Sequence, residues 1–385
     1  MVLIYLALAL VAVALHDYLP VPRWLAIHLL LLGAATNAII TWGEHFAVAL
    51  LRAPQPTRCR GAVRLAALNL GVVGVLLGVA AAVPALTVVA AGLLGVIVLW
   101  HVTSLVLIAH RALQGRFAST ARFYVVAGVA LVVGIVFGVL LATGSAGHRY
   151  EAFHAAHVHA NLLGWVGLTV LGTLFTLWPT VLRTRIVEGV EGAAASCLKL
   201  TGTGLLLVVT GLAADLRPVA AAGLGLYACG VAVALRPFVA TWRRKAPREP
   251  ASWSLAAATC WLLVGVLADF VLLTRSQDVT SYVRQLDALV PLLLVGFVAQ
   301  VLVGALTYLL PVLLGGGPSA VRAGIARLAR AGPLRVVMLN TAVPLLALPV
   351  APWARILGWA LVLVPVIAFL VLSWSAFSSR RARHR

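Results

Sequence analysis

Charge is scarce in this sequence, and acidic charge is scarcest: only 10% of its 385 residues are Asp, Glu, Lys or Arg, and just ten are acidic. A soluble domain carries about a quarter of its residues charged, so an ordinary water-soluble enzyme is excluded. Cysteine occurs four times, at Cys59, Cys197, Cys229 and Cys260. None opens a C-x-x-C-H run, which removes covalent c-type heme attachment, and no pair has zinc-site spacing. No soluble domain is present to carry a nucleic-acid-binding face. The net charge of +19 is therefore a matter of membrane topology, and no nucleic-acid partner is expected.

What fills the sequence is apolar: 63% of residues are hydrophobic, with a mean hydropathy of +1.07. That composition belongs to all-α integral membrane proteins and predicts a multi-pass protein of the cell membrane, with the lipid bilayer as its first partner. Apolar runs of about 17 to 25 residues or more predict twelve spans, at 1–19, 24–51, 63–83, 85–114, 118–143, 154–182, 197–215, 217–240, 251–275, 285–314, 334–351 and 353–378. The opening MVLIYLALALVAVAL lacks a positively charged leader, so a retained first span is expected rather than a cleaved signal peptide. With the N-terminus cytoplasmic, only Arg23, Arg149, Arg217, Arg275, Arg284 and Arg355 of the 29 basic residues fall outside. The positive-inside rule then places both termini in the cytoplasm.

One stretch organises the rest: residues 154–182, HAAHVHANLLGWVGLTVLGTLFTLWPTVL, a span that opens with three histidines. Ionisable side chains inside a span are costly and call for a functional explanation. On a regular helix His157 and His159 point about 200° apart, whereas His154 and His157 are separated by about 60°. His157 and His159 thus cannot bind one metal together.

The same stretch takes part in an internal repeat. Gly164, Gly172 and Pro179 recur 132 residues later as Gly296, Gly304 and Pro311, while His159 and Gly164 match His28 and Gly33, 131 residues earlier. Spans 2, 6 and 10 read as equivalent members of three four-helix units, about 1–115, 118–240 and 251–378, within one polytopic domain. Gly74-x-x-x-Gly78 and Gly134-x-x-x-Gly138 are the small-residue pattern of tight helix packing and are assigned no chemistry.

His157-Val158-His159 followed by Leu163-Gly164-Trp165-Val166-Gly167 resembles the His-x-His helix of the large subunit of heme-copper oxidases and nitric oxide reductases, the cbb type above all. In that family the two histidines hold two different hemes on opposite sides of one helix, and the fold is a threefold arrangement of four-helix arcs. HLLLLGAATNAI at 28–39, RFYVVAGVAL at 122–131, the segment 159–185 and GALTYLLPVLLGGGP at 304–318 further resemble actinobacterial membrane domains often joined to copper nitrite reductase or multicopper oxidase modules. The chain is also similar to NnrS-type heme and copper membrane proteins.

Shallow depth on the outer side and matching repeat positions make His28 and His159 the expected axial ligands of one b-type heme between spans 2 and 6. Two imidazoles leave iron no vacancy for oxygen or nitric oxide, so such a heme moves electrons. His157, with His154, is expected to hold a second heme or a copper ion, since imidazole suits both. His101, mid-span beside Trp100, is a cofactor ligand, a propionate contact or a packing histidine with one hydrogen bond. His16 and His148 are expected at the solvated outer surface, His110 at the interface and His384 in the basic tail. Glu44, His45 and Asp269 form the intramembrane proton-carrying or polar set, with Asp287 at the outer mouth of span 10.

The oxygen-reducing site of the family needs an adjacent His-His pair on copper; this sequence has none, and span 10 offers Gln300 and Tyr308 but no histidine. A terminal oxidase is not expected. The resemblance implies electron transfer from quinol to an external cupredoxin or multicopper protein in nitrite or nitric oxide chemistry. The rival expectation is a transporter for copper or another small solute, or a protein that responds to nitric oxide or heme without redox turnover.

Overall fold

A chain this apolar satisfies its backbone in lipid by winding every segment into helix. The computed structural model, which describes residues 1–54, 57–111 and 118–383, contains no strand among them. Arg116, His384 and Arg385 lie outside the described residues. Among the described residues ten helices are long and apolar enough to cross a membrane: Pro22–Leu51, Arg58–Ala80, Pro84–His110, Ser119–Ala142, Gly147–Val181, Val190–Ala213, Arg217–Arg244, Pro250–Arg275, Pro291–Leu314 and Pro352–Ser378. The protein is thus an all-α, multi-pass membrane protein. The remaining two apolar runs form shorter helices, Val2–Ala14 and Gly332–Ala347. At 1.5 Å per residue they reach about 20 and 24 Å, short of a hydrocarbon core about 30 Å thick.

Three of the long helices are interrupted by wide, π-helical turns at Leu29–Ala35, Ala160–Leu168 and Pro291–Ala299. Their first residues lie 131 positions apart at each step, and His28 and His159 immediately precede two of them. A wide turn leaves carbonyls without an in-line partner, and side chains fill the gap. Thr36 Oγ1 donates to the Leu31 carbonyl at 2.9 Å, and Tyr227 Oη donates to the Leu163 carbonyl at 2.9 Å. Such turns concentrate at functional sites.

The chain forms two compact units. The first comprises Met1–Thr176, Val187–Pro237 and Asp269–Gln285. In it the Val190–Ala213 and Arg217–Arg244 helices touch backbone to backbone: a Cβ on Gly204 would stand 2.7 Å from the Gly223 carbonyl oxygen. Polar side chains join the helices elsewhere. Asn37 and Asn69 exchange amide hydrogen bonds at 3.2 and 3.0 Å, and Trp165 Nε1 donates to Thr36 Oγ1 at 3.0 Å. The second unit comprises Leu177–Ile186, Phe238–Ala268 and the chain from Leu286 onward. Its polar centre is Asn340, whose Oδ1 accepts from Trp261 Nε1 at 2.8 Å and from Gln300 Nε2 at 3.3 Å.

Candidate functional site

The histidine-bearing ends of the Pro22–Leu51 and Gly147–Val181 helices meet within the first unit. Trp24, one turn before His28, lays its ring against the imidazole, with centroids 3.9 Å apart and planes 21° apart. His28 Nδ1–H donates to the Trp24 carbonyl at 2.9 Å. His157 sits against the Ala118–Ala142 helix and donates Nδ1–H to the Gly134 carbonyl at 2.8 Å. Spending Nδ1 on a carbonyl makes Nε2 the lone-pair nitrogen of a neutral imidazole, the form that binds metals. Both rings are partly buried, their centroids 6.2 Å apart and their planes 24° apart.

Glycines make room for this pair. A Cβ on Gly138 would stand 3.0 Å from His157 Cε1, and one on Gly134 would collide at 2.4 Å with Asn161 Oδ1. Asn161 Nδ2 in turn donates to the His157 carbonyl at 2.7 Å. The Gly134-x-x-x-Gly138 pattern, assigned above to packing alone, therefore seats a site residue and supplies its hydrogen-bond acceptor.

The structure places His28 beside His157, and His159, expected to share a heme with His28, against a different set of groups. His159 is buried and its two nitrogens are both engaged: Nδ1 with the Ala155 carbonyl at 2.7 Å, Nε2 with Asp269 Oδ2 at 2.7 Å. Tyr282 Oη donates to Asp269 Oδ1 at 2.6 Å and lies 3.3 Å from His159 Nε2. With Nδ1–H donating to a carbonyl, one proton is shared between Nε2 and Oδ2, and the phenol holds the carboxylate from its other side. The physical reason for the exchange of partners is the near-opposition of His157 and His159 around their helix, combined with a carboxylate waiting at Asp269.

His154 lies within electrostatic reach of both His28 and His157, and its ring is 6.3 Å from that of Tyr150. Among the described residues no group of three or more His, Cys, Asp and Glu side chains could hold a metal ion. What stands ready at this end is a pair of imidazoles.

A second polar group lies toward the other end of the Pro22–Leu51 helix. Glu44 and Arg64, 7% and 3% exposed, form a two-pronged ion pair: Nη1 donates to Oε1 at 2.7 Å and Nη2 to Oε2. Arg60 reaches Ser104 Oγ at 2.7 Å. His45 is exposed and meets Trp42 edge-on, centroids 5.6 Å apart, so it takes no part beside Glu44. Adjacent residues on a helix point about 100° apart, which separates the two. His101 is buried and its Nδ1 has no hydrogen-bond partner, while its Nε2 lies 3.8 Å from where a Gly43 Cβ would be. The single hydrogen bond expected of a packing histidine is not made through Nδ1.

The remaining histidines among the described residues sit at the surface. His16, exposed, lies 3.1 Å from Asp17 Oδ1, and His110 and His148 are exposed, as is Asp287. Gln300 is buried on Asn340, and Tyr308 is partly buried. Sequence reasoning missed Tyr282 and Arg64. The first lies across a turn from Asp269, a closeness the sequence does hint at. The second was counted with the surface basic residues and is instead a buried partner of Glu44. No family model matches the chain, and no curated protein matches it.

Proposed function

We propose that the chain holds a b-type heme between His28 and His157 and passes electrons through the membrane by way of it. The observation that carries this reading is the pair of imidazoles at 6.2 Å, each fixed through Nδ1 by a backbone carbonyl. Metal-bound histidines are held in this way, and the carbonyl sets both tautomer and ring orientation. A zinc or copper site asks for three or four protein ligands. Heme brings its own equatorial donors and asks only for two axial ones, which is what this end of the bundle offers.

Held there by His28 and His157, heme would supply a one-electron couple. The residues divide the remaining work. His28 and His157 bind, Trp24 and Gly134 orient them, Asn161 fixes the carbonyl of His157, and Gly138 leaves space for its ring. His159, Asp269 and Tyr282 hold a proton beside the site in a low-dielectric setting, which neutralises a carboxylate that would otherwise be expensive to bury.

The resemblance to heme-copper oxidase large subunits and to the NnrS type supports the same reading at larger scale. Three four-helix units, with the shorter helices Val2–Ala14 and Gly332–Ala347 counted among twelve spans and both termini cytoplasmic, would account for wide turns recurring at 131-residue intervals. On that reading the protein resides in the plasma membrane, takes electrons from a quinol and gives them to an external cupredoxin or multicopper protein in nitrite or nitric oxide metabolism.

The test is a reduced-minus-oxidised spectrum of purified protein with heme counted per chain. A narrow low-spin b-type band is expected in the wild type, lost in His28→Ala and in His157→Ala, and retained in His159→Ala. A band lost in His159→Ala but kept in His157→Ala would restore the pairing expected from the repeat. Wild-type heme in all three variants sinks the assignment.

A further inference from the structure

The second unit contains a buried cation with too few partners. From Ala288 to Arg385 the sequence has no Asp or Glu, yet it carries Arg322, Arg327, Arg330, Arg335 and further arginines. Arg335, in the first turn of the Gly332–Ala347 helix, is only 5% exposed. Its Nη2 donates to the carbonyl of Leu328, the last residue of the Gly317–Leu328 helix. Nε and Nη1, which carry three N–H bonds between them, meet no acceptor.

Carbonyls at a helix C-terminus attract a cation, but one such bond does not compensate a guanidinium withdrawn from water; an uncompensated buried charge is strongly destabilising. The local carboxylate does not answer either. Glu249 precedes Pro250, onto which Gly332 packs, but its side chain is exposed and Ser252 bonds only its backbone carbonyl. Two residues beyond Leu328 stands Arg330, exposed. Leu334 and Val337, 61% and 60% exposed, lie on another side of the same helix, turned about 100° and 160° from Arg335. A polar grip for an anion thus stands at a helix end.

We propose that Arg335, with Arg330, is a binding site for a phosphate group, of the kind carried by an anionic phospholipid headgroup. Guanidinium is suited to phosphate because its planar N–H groups match the oxygens and its charge is permanent. Basic pockets at helix ends near the membrane surface are where anionic headgroups are held. Nothing in this proposal depends on heme.

The test uses the whole chain, stripped of lipid in a neutral detergent. Thermal unfolding and bound phosphorus are measured on adding phosphatidylglycerol, phosphatidylcholine or inorganic phosphate. Phosphatidylglycerol is expected to stabilise the wild type and to leave about one phosphorus per chain after washing, with phosphatidylcholine at least about tenfold weaker. If millimolar inorganic phosphate gives the same shift, the phosphate site stands and its occupant is the free anion. Arg335→Met, which removes the buried charge, is expected to match or exceed the stripped wild type in stability and to lose the phosphatidylglycerol response. A purely structural arginine would instead destabilise on replacement. Should Arg335→Met not fold, Arg330→Gln carries the test, with weaker phosphatidylglycerol binding expected. Equal responses to the two lipids and to phosphate, unchanged by these variants, overturn the proposal.

Discussion

Breaking the Glu44–Arg64 pair tests how the first unit carries charge in its interior. The carboxylate and guanidinium are 7% and 3% exposed and are joined by two hydrogen bonds, and Arg64 Nε already has no partner. Glu44→Met would leave the guanidinium buried with no opposite charge, and Arg64→Met would strand the carboxylate in the same way. Each single change is expected to cost about 3–5 kcal/mol, the range for removing one member of a buried pair. Replacing both, Glu44→Met with Arg64→Met, removes the two desolvation penalties together and is expected to fall within about 1–2 kcal/mol of the wild type or to stabilise. The double-mutant cycle should therefore show a coupling of several kcal/mol, measured from the midpoints of unfolding in dodecyl sulfate mixed micelles followed by helical circular dichroism. Costs that simply add in the double variant, to within about 0.5 kcal/mol, would refute the argument that the two charges are buried only because they are together.

Three further outcomes follow from the geometry. Gly138→Leu places a side chain where His157 Cε1 already lies 3.0 Å from the Cβ position, so the low-spin heme band should be lost while the helix content by circular dichroism stays at the wild-type level. Asp269→Asn keeps acceptors and donors for His159 and Tyr282, whereas Asp269→Leu leaves both without a partner; the leucine variant should be less stable than the asparagine variant by about 2–6 kcal/mol, from two orphaned groups at about 1–3 each. Equal midpoints would mean that the carboxylate does not join those groups. Gly204→Val drives a side chain into the Gly223 backbone and should sharply reduce the yield of folded protein, while Gly202→Val, with its nearest neighbour atom 4.0 Å away, should express normally; comparable yields from the two would count against the backbone contact.

The long helices were legible in the sequence because a hydrocarbon environment permits little else. Apolar runs expected at 24–51, 118–143 and 251–275 appear as helices at Pro22–Leu51, Ser119–Ala142 and Pro250–Arg275. Periodicity also separated His157 from His159. It could not say which neighbour each would find, because that depends on how helices pack and not on what any one of them contains. The basic residues show the same limit from another direction. Counted along the chain, Arg64 and Arg335 look like two more surface charges on the positive side. Their burial comes from tertiary contacts: a glutamate one helix away in the first case, the end of a preceding helix in the second. Nor did composition mark the wide turns, although proline at 291 starts one of them by denying the helix a backbone N–H.

Each wide turn amounts to an extra residue lodged inside a helix, and its effect is rotational. The wide turn takes up the extra residue's rotation of about 100°, so the residues beyond it keep the facing they would have in an α-helix one residue shorter. On the Pro22–Leu51 helix the turn lies between His28 and Glu44, so it sets the angle between the imidazole near one end and the carboxylate near the other. Deleting one residue from 29–35 would let the segment close as ordinary α-helix with Glu44 still facing Arg64, whereas closing all seven residues as α-helix without a deletion would swing Glu44 about 100° away with His28 left in place. The phase relation between the two polar groups, rather than either group alone, is what this interruption of the helix fixes.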